Sequence, residues 1–452
     1  MASSPIRFPR RGFRGVALLA CCVGMAAANS FGAPQRFDFG SEEVAAGAVG
    51  VAPTTGFSVE RGHGLEPGAT PVAVDRGGPD ALRRDFLTSE GPFLFSVVVP
   101  EGNYRVTVHH GDPAGVSDLT IKAETRRLMI ERAVTSHGET QAVTFLVNVR
   151  NRTLPPPPAN APGGDRVRLN DREDGPRGLV PHWDDKLTLE FNGARPCVAA
   201  VEIERVDDAV TVFLAGDSTV TDQPGEPSAS WGQMLTRFFG PGVAVANHAE
   251  SGETLKSFLT GLRLDKLLSQ IRAGDYLFIQ FGHNDSKTAW PQTYVDAADT
   301  YRAYLKVYLA EARRRGAHPV LVTSVQRRQF GPDGRIRNSH GDYPAAVRAV
   351  AEEEGVPLID LERMSVALYE ALGPNRAPLA FAAGGRDATH HNNYGAYQLA
   401  QCVAQAIREQ RLDLARHLAA DFRGYDPARP DPVDTFALPA SPGRQTEAPR
   451  GN

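Results

Sequence analysis

Three polar residues, one of them far from the other two in the chain, have the types that acyl transfer needs. Ser218 closes the run Thr211-Val-Phe-Leu-Ala-Gly-Asp-Ser218, and Asp387-Ala-Thr-His390 follows far downstream. A serine hydroxyl is a weak nucleophile until a neighbouring base takes its proton. His390 supplies such a base. Asp387, three residues earlier, supplies a carboxylate that can hold the imidazole tautomer and stabilise the imidazolium. Gly216-Asp-Ser218 alone is also what a strand-ending turn looks like, and Asp-x-x-His alone is what a helix cap beside a surface histidine looks like. The pairing carries the chemistry, not either fragment. His391 adjoins His390 as a rival, and the Asp-x-x-His spacing favours His390. Asp217 reads as a brace for the turn, with Asp387 as the working acid.

Two further segments offer donors for a developing oxyanion. Gly282-His-Asn-Asp285 follows the apolar run Phe278-Ile-Gln-Phe281, and the Asn284 amide could donate there. Asn247-His-Ala-Glu-Ser-Gly252 follows another apolar run, and Gly252 permits close approach of its backbone N–H. Such donors are worth roughly 3–4 kcal/mol each in acyl transfer. The bland alternatives are an Asn/Asp turn with a satisfied histidine, favoured for His283 and Asp285, and a plain strand-to-helix loop at Gly252.

These segments need a scaffold that brings them together. From Thr211 onward, short apolar runs at Val212–Ala215, Val243–Asn247, Tyr276–Phe281, Val320–Val325 and Pro357–Leu361 alternate with helical patterns. The helical patterns cover Ser230–Phe239, Leu255–Ile271, Tyr294–Arg315, Tyr343–Glu354, Met364–Leu372 and Asn393–Gln410, with Asp342 as an N-cap before Pro344. That alternation predicts a parallel sheet covered on both faces. Functional loops gather beyond the carboxyl ends of such strands, where Ser218, Ala249–Gly252 and Gly282–Asp285 all fall.

Residues 35–206 read differently. Phe93–Val99, Arg105–His109, Leu119–Ala123, Ala142–Val149, Leu187–Phe191 and Val198–Ile203 have strand character, and turn residues and a proline-rich loop from Leu154 to Gly164 separate them. Short strands with little helix predict a β-sandwich. Tyr104, Phe95 and Trp183 are core aromatics on this reading, with sugar stacking the less favoured role.

In this order, Gly216-Asp-Ser218, Gly252, Gly282-His-Asn-Asp285 and Asp387-Ala-Thr-His390 resemble the four blocks of the SGNH (GDSL-type) hydrolases. More closely, Asn247-His-Ala-Glu-Ser-Gly-Glu-Thr-Leu-Lys-Ser-Phe258 and Asp387-Ala-Thr-His-His-Asn-Asn-Tyr-Gly-Ala396 resemble the rhamnogalacturonan acetylesterases of carbohydrate esterase family 12. The resemblance covers residues 211–410. It implies a flavodoxin-like α/β fold at 210–424, with Ser218 as nucleophile, His390 as base and Asp387 as its orienter. It also implies an oxyanion hole from the Ser218 and Gly252 amides and the Asn284 side chain, with no metal or organic cofactor. Glu253 departs from the arginine of many relatives. The region 35–206, absent from minimal members, is similar to galactose-binding-like sandwiches. The expected reaction is removal of O-acetyl groups from a cell-wall polysaccharide such as rhamnogalacturonan, with acetylxylan or another glycan as the alternative. Arg327 and Arg328 are candidates to meet galacturonate carboxylates.

Composition and termini limit the setting. A net charge of −4 over 452 residues argues against a general nucleic-acid binder. A metal-dependent phosphoesterase would need several converging Asp/His ligands, and no aspartate precedes a histidine by two residues. A non-catalytic glycan-binding protein would not need an intact Ser/Asp/His set. Residues 1–28 have a basic stretch around Arg7–Arg14, an apolar stretch and Ala26-Ala-Ala28, as export signals do. Arg10-Arg11 resembles a twin-arginine signal, and Cys21 leaves a lipoprotein open. The expected location is periplasmic or extracellular. Cys197 and Cys402 form no disulfide framework. Residues 425–452, rich in proline, read as a loosely ordered tail. Oligomeric state has no sequence signature here.

Overall fold

The computed structural model describes residues 33–40, 43–174, 182–444 and 449. The export-signal reading of residues 1–28 lies outside the described residues.

Five parallel strands carry the functional loops: Val210–Gly216, Val243–Asn247, Tyr276–Gln280, His318–Val322 and Leu358–Ile359. In chain order they lie 2-1-3-4-5 across the sheet. This is the flavodoxin-like order, whose connections reverse direction between the first and third strands. Both faces are covered, so successive residues of one strand enter different cores. Val212, Leu214, Val245, Phe278 and Val322 join one apolar cluster, whereas Phe213, Ala215, Ala246, Leu277 and Leu321 join the other. That explains why these strands read as continuous apolar runs rather than alternating ones.

The helices Leu361–Arg376 and Asn393–Glu409 cover the first face. Thr300–Arg314 and Tyr343–Glu354 cover the second. Several expectations change in detail, the helix expected over Tyr294–Arg315 beginning only at Thr300. The helix expected over Leu255–Ile271 is two helices, Leu255–Thr260 and Arg263–Gln270. They break at Gly261–Leu262, where Leu262 takes a left-handed φ of 61°. Asp342 does sit at an N-cap, but its side chain makes no capping hydrogen bond.

The N-terminal region forms two antiparallel-rich sheets, of seven and five strands, packed over one core. Expected strands such as Phe93–Val98 and Thr140–Val149 are present. Five short strands between Gln35 and Thr88, and Arg127–Thr135, had no clear sequence pattern. Tyr104 and Phe95 are fully buried in this core. Trp183 is also buried, with the guanidinium groups of Arg150 and Arg263 4.6 and 5.8 Å from its ring centre, so it has no face for a sugar. Cys197 and Cys402 are both buried free thiols.

The two regions meet over a polar seam. Arg127 Nε donates to Asp222 at 2.7 Å, Arg126 donates to Ser228 O at 2.9 Å, and Gln233 Nε2 donates to Thr125 O at 2.7 Å. The sandwich therefore backs directly onto the loop after Ser218.

The segment after Gly424, expected to be loose, is docked through its described part. Asp431 accepts from Gln398 and Gln401, and the Phe436 ring lies 5.2 Å from that of Tyr397. Lys122 Nζ donates to Pro439 O at 2.7 Å. The described part of this segment holds only one short helical turn, Val433–Thr435, yet Tyr425, Val433, Phe436 and Leu438 find apolar surface. It straps the last helix to the sandwich.

Candidate active site

Ser218 sits two residues beyond Gly216, which pairs across the sheet with Gln280. The turn after each strand therefore begins at the same level, on either side of the point where the strand order reverses. A Cβ at Gly216 would lie 2.6 Å from Val220 Cγ2 and 2.9 Å from Gln280 O. Glycine is needed there for space rather than for a left-handed turn. Asp217 is fully buried. Its Oδ1 accepts from Thr219 N at 2.9 Å and Thr219 Oγ1 at 2.8 Å, and its Oδ2 meets His283 Nδ1 at 3.1 Å. Burial pushes this carboxyl up, but His283 and Thr219 outweigh it and hold it below the usual range. Asp217 thus braces the turn.

His390 reaches the same point from the other end of the chain. Its Nε2 lies 2.9 Å from Ser218 Oγ, and its Nδ1 lies 2.9 Å from Asp387 Oδ2. Asp387 Oδ1 accepts the backbone N–H groups of Thr389 at 2.7 Å and His390 at 2.9 Å. Burial opposes ionisation of Asp387, but His390 and these two amides overcome it and keep the carboxyl well below the usual range. Ala382 N donates to His390 O and Ala229 N to His391 O, both at 2.9 Å, which pins the backbone on either side. Asn392 then caps the following helix through Gly395 N at 3.1 Å. His391 turns away: its Nε2 meets Tyr369 Oη at 2.7 Å, and burial lowers its pKa to about 3.

The candidate donors flank this row. Gly252 takes φ 85°, a conformation that favours glycine. Asn284 is buried, and its Nδ2 donates one hydrogen to Glu253 O at 3.1 Å, so the amide has a second hydrogen to offer. Asp285 accepts from Leu255 N at 3.0 Å and Gly282 N at 2.9 Å, tying the Asn284 turn to the helix after Gly252. Burial pushes it up to about 7. His283 and Asp285 are therefore turn-holding groups.

Arg327 and Arg328 lie beside the site but hold main chain. Arg327 Nη2 donates to His283 O and its Nη1 to Ser339 O, both at 3.2 Å. Arg328 Nη2 donates to Gly385 O at 2.6 Å and to Asp387 O at 3.2 Å. These contacts favour support of the two loops over capture of a carboxylate.

Residues that sequence reasoning passed over complete the surroundings. Gln223 Nε2 donates to Ser218 O at 2.7 Å. Glu250 is buried and accepts from Ser251 N at 2.7 Å and from Arg172. Arg263 pairs with Glu173 and, at 3.3 Å, with Glu253. Among the described residues, Glu173, His182 and Glu250 come close enough to share a cation. Two of the three are already paired with arginines, a donor set suited to an ion-pair network rather than to a metal.

The arrangement can activate a serine toward an ester carbonyl. The model of the GDSL-like lipase/acylhydrolase family matches residues 214–419. The rhamnogalacturonan acetylesterase RhgT of Bacillus subtilis is 43% identical over 224 residues, spanning 47% of this chain and 95% of that protein. The probable rhamnogalacturonan acetylesterase YesY of the same species is 38% identical over 210 residues, spanning 46% and 96%. The uncharacterised esterase YxiM, also from Bacillus subtilis, is 26% identical over 393 residues, spanning 83% of this chain and 91% of that protein.

Proposed function

The chain belongs to the GDSL-like lipase/acylhydrolase family, as a carboxylic ester hydrolase acting on carbohydrate acetyl groups, and from that premise we propose that its substrate is acetylated rhamnogalacturonan. The observations that carry this reading are the Ser218–His390–Asp387 row, with 2.9 Å at each junction, and the 43% identity over 224 residues to a rhamnogalacturonan acetylesterase. On this reading the enzyme is exported. No helix among the described residues is long and apolar enough to cross a membrane. Residues 210–424 form the catalytic unit, and 35–206 form its accompanying sandwich.

The proposed mechanism follows from the hydrogen bonds. Ser218 Oγ attacks the acetyl carbonyl carbon while His390 Nε2 takes the hydroxyl proton. The carbonyl oxygen becomes an oxyanion, received by the amides of Ser218 and Gly252 and the second hydrogen of Asn284 Nδ2. Collapse expels the sugar alkoxide, which takes the proton from His390 and leaves Ser218 acetylated. Water then attacks the acetyl carbon while His390 takes its proton, and the second intermediate collapses to acetate as His390 returns that proton to Ser218 Oγ. Asp387 keeps Nδ1–H in place throughout.

Acetate release from a panel of acetylated polysaccharides tests both parts. Rhamnogalacturonan is expected to be deacetylated faster than xylan, and Ser218→Ala is expected to abolish release from every polymer. Preference for xylan would overturn the substrate assignment. Acetate release by a folded Ser218→Ala variant would overturn the mechanism.

A further inference from the structure

The short helix Asp171–Asp174 belongs to the N-terminal region, yet its Arg172 reaches both backbone segments proposed to receive the oxyanion, through the Gln223 and Glu250 side chains. Arg172 Nη1 donates to Gln223 Oε1 at 3.2 Å, and Gln223 Nε2 donates in turn to Ser218 O at 2.7 Å. Arg172 Nη2 donates to Glu250 Oε1, and the same oxygen accepts Ser251 N at 2.7 Å, one residue before Gly252. One planar guanidinium therefore links the carbonyl of Ser218 to the peptide leading into Gly252. Glu250 and Gln223 are fully buried, so neither has water as an alternative partner.

The helix is itself held in place. Glu173 pairs with the buried Arg263 and accepts Trp183 Nε1 at 2.7 Å. Asn170 Oδ1 accepts Arg172 N at 2.9 Å and Glu173 N at 3.2 Å. Arg263 also reaches Glu253, the residue after Gly252, at 3.3 Å. The two acids that bracket Gly252, Glu250 and Glu253, are thus each paired with an arginine tied to this helix.

We propose that Arg172 is a positioning residue that sets the spacing between the Ser218 and Gly252 amides, so that the N-terminal region is needed for turnover and not only for binding polymer. This rests on the reading of Ser218 as nucleophile. The guanidinium suits the task because its donors lie in one plane at fixed angles. A lysine ammonium would satisfy Glu250 or Gln223 but not hold both in register. A displacement of about 1 Å at such donors costs roughly 10²-fold in rate.

The test uses the full chain, with acetate release from acetylated pectin and from a small acetate ester. Arg172→Ala is expected to lower kcat by roughly 10- to 100-fold on both substrates with KM changed less than about threefold. Added guanidinium ion is expected to restore part of that loss. Arg172→Lys, the choice if the alanine variant does not fold, is expected to lose kcat in the same direction. Arg132→Ala, which removes an exposed ion pair with Asp118 in the same region, is expected to leave both constants unchanged. A folded Arg172→Ala or Arg172→Lys variant with wild-type kcat would overturn the proposal, as would a loss confined to KM. Ser218→Ala run in parallel separates the two readings: its retained activity refutes the nucleophile, whereas its inactivity beside an unaffected Arg172 variant refutes only the positioning role.

Discussion

Replacing Asp387 with asparagine should inactivate the enzyme while leaving its shape nearly unchanged. The carboxylate accepts Thr389 N at 2.7 Å and His390 N at 2.9 Å on Oδ1, and His390 Nδ1 at 2.9 Å on Oδ2. Asparagine has one acceptor oxygen, and the two backbone donors at Oδ1 compete for it more strongly than the single ring donor. The amide NH₂ then faces His390 Nδ1 and pairs only when that nitrogen carries a lone pair. The ring proton is forced onto Nε2, which lies 2.9 Å from Ser218 Oγ and would then be unable to take its proton. Flipping the amide restores the working tautomer but opposes NH₂ to two buried backbone N–H groups. Each unmet donor costs about 1–3 kcal/mol, so the competent form falls by roughly 2–6 kcal/mol. A loss of roughly 30-fold to 10⁴-fold in kcat/KM is expected. Acetate release at a temperature well below the melting transition measures it. A folded Asp387→Asn enzyme within tenfold of wild type would refute the tautomer argument.

Asn284→Ala should lower kcat by ~10²–10³-fold with little effect on KM, because its spare amide hydrogen is needed only as charge develops; steady-state kinetics on a small acetate ester would reveal an equal loss in KM instead, were the residue merely binding substrate. A third expectation concerns Glu124, whose Oε1 accepts Thr188 N at 3.0 Å and whose carboxyl burial pushes up to about 8. The folded state then binds the extra proton between the unfolded pKa of about 4.3 and about 8, so stability falls as pH rises through that window. Glu124→Gln should remove this part of the slope, and urea unfolding at pH 5, 7 and 9 checks it: an unchanged slope would mean that the group is not buried as a neutral acid.

The parallel-sheet half was legible because its cores impose simple patterns. A strand buried on both faces reads as an apolar run, and the helices between carry one apolar stripe. The Leu255–Ile271 stretch kept that stripe across the break at Leu262, so periodicity alone could not locate the kink. In the sandwich, long strands such as Thr140–Val149 were visible, but short ones such as Val49–Val51 and His63–Leu65 hold too few residues to display an alternation. The docked tail was misread for a related reason. Low apolar density argues against an independent core, yet Phe436 and Tyr425 need only surface that the last helix already presents.

The site divides along the same line. Ser218, Asp387, His390, Gly252 and Asn284 each stand just past a strand end or just before a helix, in segments whose local composition marks them. Their neighbours Gln223, Glu250 and Arg172 carry no such mark, because their importance lies in contacts made across 51 and 78 positions of sequence. A charged residue in a loop is ordinarily a solvated one, and that default left Arg327 and Arg328 free to meet substrate. Burial changes the inference. A carboxylate such as Glu250, taken out of water, must find a cation, and whichever arginine answers becomes part of the geometry it completes. A candidate nucleophile and a candidate base can be located from residue types within short segments. The groups proposed to fix how far apart the candidate oxyanion donors stand become visible only when two regions of the chain are folded against each other.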